Sequence, residues 1–247
     1  MDSQFSRSEI VFGKGATEIL KQKKVAVFGL GGVGGSACEA LARSGVGQFL
    51  LVDADVFSLS NINRQTLADH ATIGRKKTEV MAERIRKINP EAEVETVDIF
   101  YLPENADSID LGTCDYVLDA IDTIKAKVDI IVRCKQLSVP VISALGCGNR
   151  VDPTKICTCD LYETTYDKLG KVFRRLLRKQ GITELKVVCS EEKPLLPESD
   201  EEQEERKTVG VRTHPVPGST SFVPPAAGLA MASVVIRDLL HYVPVVR

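Results

Sequence analysis

The chain has 247 residues, of which 43% are hydrophobic and 27% are charged, and its formal net charge is −2. This length allows a substantial core, and the charge balance excludes a globally basic nucleic-acid-binding protein while allowing a local basic patch. The polar first ten residues indicate no signal peptide, and no apolar run reaches membrane-spanning length. We therefore expect a soluble, cytoplasmic protein.

Hydrophobic patterning predicts strands that alternate with helices through the first 150 residues. The predicted strands cover 24–28, 49–53, 93–98, 116–122 and 139–144. The predicted helices cover 33–43, a segment from Gly74 to the Asn89–Pro90 stop, and a segment that ends at Leu137. This alternation is typical of an α/β, Rossmann-like fold with a mostly parallel sheet and helices on both faces.

The second half of the chain is less regular. A basic amphipathic helix is predicted over 166–181, a strand over 185–190, and a packed helix that begins at the prolines of SFVPP. The acidic stretch near 191–207 contains prolines and few hydrophobic residues, so it cannot bury enough apolar surface to order itself. We expect a mobile surface loop there.

The seven cysteines do not form a disulfide framework, because their number is odd and their spacing is irregular. The absence of any C-x-x-C pair also argues against a zinc site built from two such pairs. Cys157 and Cys159 would point to the same side of a strand. We expect ordinary reduced thiols at these two positions.

A glycine-rich motif follows the first predicted strand and opens the first helix after it. In GLGGVGG, Gly29 permits a tight turn, Gly31 lets the backbone approach a phosphate, and Gly34 completes the G-x-G-x-x-G spacing. Asp53 ends the second strand, where a carboxylate can accept hydrogen bonds from ribose hydroxyls. This context predicts an adenosine nucleotide rather than a simple packing turn.

The stretch DADVFSLSNINRQT, residues 53–66, indicates which kind of nucleotide the fold binds. It places Asn61, Asn63, Arg64 and Gln65 after the acidic residue, and Lys77 follows in the next helix. An oxidoreductase that leaves its pyrophosphate intact needs few cations there, whereas chemistry at phosphorus requires charge neutralisation. We therefore expect these groups to reach over a triphosphate.

Asp122 lies just past the strand predicted over 116–122, at the sheet edge where such folds bind ligands. A carboxylate there suits Mg²⁺, which usually takes one or two protein carboxylates together with phosphate oxygens. The cofactors predicted are therefore ATP and Mg²⁺. The complete set of candidate ATP-binding residues is Gly29, Gly31, Gly32, Gly34, Asp53, Asp55, Asn61, Asn63, Arg64, Gln65, Lys77 and Asp122.

The motifs GLGGVGG, LVDADVFSLSNINRQ, GRKKTEV and VLDAID together resemble the adenylating superfamily of ubiquitin-activating enzymes and bacterial sulfur-carrier activators. Within it, QFSRSEIVFG, EVMAERIRKINPEAEVE and GSTSFVPPAAGL resemble the tRNA threonylcarbamoyladenosine dehydratases, and the resemblance covers nearly the whole chain. It implies a single adenylation domain over 1–247. Residues 1–150 would form its nucleotide-binding half and residues 151–247 its substrate-facing half.

The resemblance also implies roles for individual residues. Asp53 would hold the ribose, Arg64, Gln65 and Lys77 the phosphates, and Asp122 the metal. The catalytic set would be Arg7, Arg64, Lys77 and Asp122, with Arg7 matching an arginine that reaches the ATP of a partner subunit. A homodimer is therefore implied, although a plain surface arginine is an equal alternative for Arg7.

The implied reaction is an ATP-dependent dehydration on tRNA. The carboxylate of threonylcarbamoyladenosine at tRNA position 37 is adenylated, and the ureido group of the same modification then closes a ring and expels AMP. No enzyme nucleophile is required, which agrees with the weak case for Cys189, whose acidic neighbours should raise its pKa. The predicted partners are the modified tRNA and, as an added option, a sulfur-transfer protein.

The helix predicted over 166–181 supplies the positive charge that tRNA binding needs. Its candidate tRNA-binding residues, at three- and four-residue spacing, are Lys168, Lys171, Arg175 and Arg178, flanked by Arg174 and Lys179. The predicted buried side consists of Leu169, Val172, Leu176 and Leu177. The alternative interpretation is an ordinary solvated helix face.

Two other functions stay open on the sequence alone. One is an adenylyltransferase that activates the C-terminus of a ubiquitin-like sulfur-carrier protein, and the missing C-x-x-C zinc pairs count against it. The other is a nicotinamide-binding oxidoreductase or sensor. The cations that follow Asp53 favour ATP over a nicotinamide cofactor.

Overall fold

The computed structural model describes residues 3–196 and 217–244. Within them, one sheet contains β1 (Lys24–Phe28), β2 (Gln48–Val52), β3 (Glu93–Val97), β4 (Tyr116–Asp119), β5 (Val141–Ala144), β6 (Ile156–Asp160) and β7 (Lys186–Ser190). The strand order is β3-β2-β1-β4-β5-β7-β6. All neighbours are parallel except β6 and β7, which are antiparallel. The predicted mostly parallel sheet is confirmed.

The α-helices of the described residues are α1 (Ser6–Phe12), α2 (Ala16–Lys21), α3 (Gly32–Ser44), α4 (Lys77–Ile88), α5 (Ile124–Gln136), α6 (Lys168–Lys179) and α7 (Val223–Leu239). They cover both faces of the sheet. Val25 and Val27 of β1 pack with α3, α4 and α7, whereas Ala26 and Phe28 pack with α5 and α6. Since successive strand residues point to opposite faces, each strand contributes to two cores.

Helices α3 and α7 approach each other closely through glycine. A Cβ atom on Gly228 would lie 2.2 Å from the carbonyl oxygen of Val33, and one on Gly32 would lie 2.9 Å from Cβ of Pro224. No side chain fits at either contact. The last helix of the chain therefore packs directly behind the glycine-rich turn that follows β1.

The observed ends of two elements differ from the predicted ones, and one strand was not predicted. Helix α4 begins at Lys77 rather than near Gly74, because Lys76 is extended and forms a bridge with Val56. Strand β4 ends at Asp119, so Asp122 lies in the loop that follows it. The sequence pattern predicts no strand at 156–160, whereas the structure contains β6 there, on the edge of the sheet.

The sequence also raised the questions of a membrane-spanning helix and of a loop near 191–207. No helix among the described residues is both long enough and apolar enough to cross a membrane. The predicted mobile loop near 191–207 lies mostly outside the described residues, which resume at Pro217.

Candidate nucleotide-binding site

A cavity of about 450 Å³ lies beyond the carboxyl ends of the central strands. The chain leaves β1 toward β2 and later returns to β4 on the other side of β1, so the sheet has a topological switch point there. Open α/β sheets bind ligands at such points. The predicted site residues that line this cavity are Gly29, Gly31, Gly32, Asp53, Asp55, Asn61, Arg64, Gln65, Lys77 and Asp122.

The glycine-rich turn lines the cavity. Gly29 has a φ of +84°, and a Cβ on it would lie 2.7 Å from the carbonyl oxygen of Ala120. Gly34 packs even closer, with its Cβ position 1.8 Å from the oxygen of Gly29, and it does not line the cavity. A Cβ on Gly31, by contrast, would meet only Nε2 of Gln65, at 3.7 Å. Gly31 therefore leaves space that a ligand can use, whereas Gly29 and Gly34 are required by packing.

Asp53 is held rigidly at the cavity edge. Its Oδ2 accepts a hydrogen bond from the amide of Leu30 at 2.6 Å, and its Oδ1 accepts one from the amide of Asp55 at 2.8 Å. Each carboxylate oxygen has a second acceptor site. The side chain can therefore accept ribose hydroxyls without losing the bonds that orient it.

Two cations face the cavity, Arg64 from the segment between β2 and α4 and Lys77 from the first residue of α4. The Nζ of Lys77 lies 2.8 Å from Oδ2 of Asp55, and the lysine side chain is only 7% exposed. The guanidinium of Arg64 donates to the carbonyl oxygen of Ser60 at 2.7 Å and to Oδ1 of Asn63 at 3.0 Å. These contacts fix both positive charges beside the glycine-rich turn.

The amides of this segment have different roles. Asn61 is buried, and its Oδ1 accepts a hydrogen bond from the amide of Ser58. Asn63 does not line the cavity, but its Nδ2 donates to the carbonyl oxygen of Ser219 at 3.0 Å. Gln65 is buried, and its Oε1 has no hydrogen-bond partner within the described residues. Since buried polar groups are nearly always paired, this side chain is one that a bound ligand can satisfy.

Asp122 is exposed and lines the cavity without an ion-pair partner in the described parts of the chain. Its negative charge is therefore not compensated by a neighbouring lysine or arginine. A carboxylate of this kind, in a cavity that also contains Arg64 and Lys77, can bind a cation that accompanies phosphate groups.

Several lining residues were missed by sequence reasoning. They are Ile99, Phe100 and Tyr101 after β3, Cys147 and Gly148 after β5, and Pro217, Gly218 and Ser219 before α7. Burial raises the pKa of Cys147 to about 11, so its thiol stays neutral. The first two groups follow carboxyl ends of strands, which is the signal that could have identified them. Nothing in the sequence places the third group near the glycines.

Arg7 and Cys189 do not line this cavity. Arg7 is exposed on α1, beside Ile10 and Val11, which are 82% and 60% exposed. Cys189 is buried on β7, and burial, not its acidic neighbours, is the main cause that raises its pKa. It lines no part of the cavity.

The cations of α6 divide into exposed and internal ones. Lys171, Arg175 and Arg178 are exposed, and the guanidinium of Arg178 lies 4.9 Å from the ring centre of Tyr162. The guanidinium of Arg174 instead donates to the carbonyl oxygens of Leu161 and Thr164, each at 3.1 Å. Arg174 is therefore engaged inside the fold.

The predicted buried side of α6 needs correction. Phe173 and Leu177 are fully buried, whereas Leu169, Val172 and Leu176 are half-buried. Phe173 lies four residues from both Leu169 and Leu177, so helical spacing also places it on this side, although the predicted set omitted it. Through this narrower stripe the helix packs against α5 and the hydrophobic core on that side of the sheet.

Known proteins match this chain over its full length. The model of the ThiF family matches residues 5–245. The tRNA threonylcarbamoyladenosine dehydratase of Bacillus subtilis (strain 168) is 42% identical over 251 residues, which cover 99% of this chain and 97% of that protein. The crystal structure of E. coli tRNA N6-threonylcarbamoyladenosine dehydratase in complex with ATP has a TM-score of 0.84 at 32% identity, with 96% of this chain and 94% of that chain covered.

The similarity to sulfur-carrier activators is more limited. The molybdopterin-synthase adenylyltransferase of Haemophilus influenzae is 34% identical over 159 residues, which cover 64% of this chain and 64% of that protein. The stronger and longer matches are thus to the dehydratases. The chain belongs to the ThiF family and, within it, to the tRNA threonylcarbamoyladenosine dehydratases.

Proposed function

We propose that this protein is an ATP-dependent dehydratase that adenylates the carboxylate of N6-threonylcarbamoyladenosine in tRNA and cyclises it to cyclic threonylcarbamoyladenosine. The observation that carries the proposal is the cavity in which the glycine-rich turn meets Arg64, Lys77 and Asp122. The full-length similarity to named dehydratases supports the choice of tRNA substrate.

In the first step, a carboxylate oxygen of the substrate attacks the α-phosphorus of ATP. The bond from that phosphorus to the oxygen bridging to the β-phosphate breaks, and pyrophosphate leaves. Arg64 and Lys77 stabilise the charge that develops on the phosphoryl oxygens, because both are fixed before the substrate binds. Gly31 and the N-terminus of α3 supply backbone N–H groups to the phosphates, and Asp53 holds the ribose.

In the second step, the ureido group of the modification attacks the activated acyl carbon. A ring bond forms, the bond from carbon to the AMP oxygen breaks, and the ureido group loses its proton. The carboxylate oxygen leaves with AMP, so the tRNA has lost one water. The nucleophile is already part of the substrate, so proximity replaces an enzyme nucleophile. The burial of Cys189 outside the cavity agrees with this route.

Mg²⁺ fits the residues present, because Asp122 offers an uncompensated carboxylate to the cavity that would hold the phosphates. Bound there, Mg²⁺ would neutralise phosphate charge and orient the leaving pyrophosphate. Asp122 would hold the ion, with phosphate oxygens and water as its remaining ligands.

Arg7 extends the proposal to a homodimer in which each site is completed by the partner subunit. Support comes from its exposure on α1, its absence from the cavity of its own chain, and the apolar Ile10 and Val11 beside it. The test mixes Arg7→Ala and Lys77→Met subunits, each of which the proposal predicts to be inactive alone. A mixed dimer contains one intact site if Arg7 acts across the interface, so activity should return; if Arg7 acts within its own chain, none should.

Helix α6 is the proposed tRNA surface, through Lys168, Lys171, Arg175 and Arg178. Support comes from the exposure of Lys171, Arg175 and Arg178 and from the contact of Arg178 with the ring of Tyr162. The proposed setting is the cytoplasm, where modified tRNA and ATP are both available, with a sulfur-transfer protein as an additional partner.

The decisive experiment incubates the protein with ATP, Mg²⁺ and tRNA that carries threonylcarbamoyladenosine. We expect AMP release together with the loss of one water from the modified nucleoside, measured by mass spectrometry. Unmodified tRNA is the control and should yield no AMP. Adenylation of a carrier protein ending in Gly-Gly, with unchanged tRNA, would instead identify a sulfur-carrier activator.

A further inference from the structure

Three cysteines meet at the edge of the sheet, away from the nucleotide cavity. Cys157 and Cys159 stand two residues apart on edge strand β6, and Cys189 lies on the antiparallel neighbour β7. Cys157 is directly opposite Cys189, and Cys159 is opposite Val187, which makes it the diagonal neighbour of Cys189. Antiparallel pairing thus brings side chains about 30 residues apart onto one face of the sheet.

The three sulfur atoms form a compact triangle. The Sγ of Cys189 lies 3.5 Å from that of Cys157 and 3.6 Å from that of Cys159, and all three atoms lie within 4.8 Å of one another. Zinc–thiolate bonds of about 2.3 Å place two tetrahedral sulfur ligands about 3.8 Å apart. The observed spacing is therefore close to that of a thiolate metal site. Across residues 3–196 and 217–244, this is the one such close group of three or more His, Cys, Asp or Glu side chains.

We propose that Cys157, Cys159 and Cys189 bind one thiophilic metal ion, Zn²⁺ or Cu⁺. Soft thiolate ligands select these ions among the biological metals. Three protein ligands complete a trigonal Cu⁺ site, whereas they leave Zn²⁺ one open position for water or an external ligand. None of the three cysteines lines the nucleotide cavity, so this site is distinct from the one that would bind ATP.

The surroundings allow an ion to enter and be retained. Cys157 and Cys159 are half-buried on the edge strand and so remain reachable from solvent, whereas Cys189 is 3% exposed. A bound cation displaces the thiol protons of its ligands, because a coordinating thiol is deprotonated.

The first experiment uses the full-length wild-type protein, reduced and stripped of metal with a chelator. Zn²⁺ and Cu⁺ are titrated in separate arms against a chromophoric chelator of each ion. We expect one equivalent to bind per chain in at least one arm. Alkylation followed by mass spectrometry should then find Cys157 and Cys159 protected when the ion is bound, whereas the extent of labelling at Cys147 should be the same with and without the ion.

The second experiment compares variants. Cys157→Ser and Cys159→Ser should each lower the affinity for the ion by about a hundredfold or more, since even an outer-shell change costs ten- to a hundredfold. Cys147→Ser is the matched control, a thiol of similar exposure outside the triangle, and should bind the ion like the wild type.

Three results would overturn the proposal. The first is that the reduced wild-type protein binds neither ion in stoichiometric amount. A disulfide between Cys157 and Cys189 in the protein as isolated would not rescue the proposal after that result. The second is that both cluster variants bind as tightly as the wild type. The third is that the bound ion leaves Cys157 and Cys159 as reactive as they are without it, a result that needs no variant to fold.

Discussion

The cations of the nucleotide cavity and those of α6 are organised in opposite ways. Lys77 is almost wholly buried against Asp55, and Arg64 is held by a backbone carbonyl and Asn63. Lys171 and Arg175 on α6 are exposed and have no ion-pair partner in the described structure. Fixed charges suit a single reacting group, since they need no reorganisation, whereas exposed, unpaired charges suit an extended polyanion. Substitutions in the cavity should therefore act on chemistry, and those on α6 on affinity.

The largest effect is expected at the glycine-rich turn. Gly31→Val should abolish ATP binding, because the added side chain takes the space through which a phosphate would approach the backbone. The melting temperature should hardly change, since a Cβ there meets only Nε2 of Gln65. Nucleotide titration and thermal unfolding provide the two measurements.

Gly34→Val is the matched contrast within the same motif. A Cβ at Gly34 would lie 1.8 Å from the oxygen of Gly29, so this variant should be strongly destabilised. Unchanged ATP affinity in a folded Gly31→Val protein would remove the assignment of this turn to phosphate binding.

Asp122→Asn should have the next largest effect. The substitution keeps the shape of the side chain but removes the charge proposed to hold Mg²⁺. We expect AMP formation to fall about a hundredfold, as for the loss of one strong electrostatic contact in a transition state. Binding of tRNA, measured by filter retention, should be unaffected. Near-normal turnover would mean that the ion is held elsewhere.

The α6 surface should show a smaller and salt-dependent effect. Replacing Lys168, Lys171, Arg175 and Arg178 with Gln should weaken tRNA binding by tenfold or more and flatten its salt dependence, because about 0.9 of a counterion is released per neutralised phosphate of a duplex. ATP affinity should stay the same. The measurement is a tRNA titration at several salt concentrations.

The control for this experiment is a variant with four exposed cations replaced elsewhere, namely Lys14, Arg43, Lys87 and Arg237. It has the same net charge as the α6 variant. If the two variants lose equal affinity, α6 acts only through the total charge of the protein, and the tRNA surface must be sought near Lys21, Lys23 and Lys24.

The smallest effect separates two adjacent arginines of α6. Arg174→Ala removes donors to the carbonyl oxygens of Leu161 and Thr164 and should lower the free energy of unfolding by about 1.5 kcal/mol. Arg175→Ala should change it by less than about 0.5 kcal/mol, since that side chain is exposed. Urea denaturation measures both, and equal losses would contradict the division of this helix into internal and external cations.

The sequence predicted most of the fold and the site because its signals are local. Each of these signals lies within a short stretch of sequence, so the residues that form it are also close together in the fold. The signals are the glycine spacing, Asp53 and the run 61–65. Strand β6 was missed because it is a five-residue edge strand with four half-buried positions, one exposed position and one antiparallel neighbour. Its pairing with β7 depends on residues about 30 positions away.

The same reason explains which site residues were missed. Ser219 reaches the cavity through a hydrogen bond from Asn63, across 156 residues of sequence. The thiol triangle likewise exists only after β6 and β7 pair. Contacts between distant segments leave no periodic trace in the sequence, so they became visible only in the folded chain.

The close contact between α3 and α7 has a consequence for protein synthesis. A chain that is still being translated has made its glycine-rich turn long before Pro224 and Gly228 exist to pack behind it. Until α7 leaves the ribosome, the apolar face of α3 around Ala37 and Leu41 has no cover from that side. Premature termination before residue 223 should therefore release a product that binds no ATP, although every residue predicted to contact the nucleotide is already present.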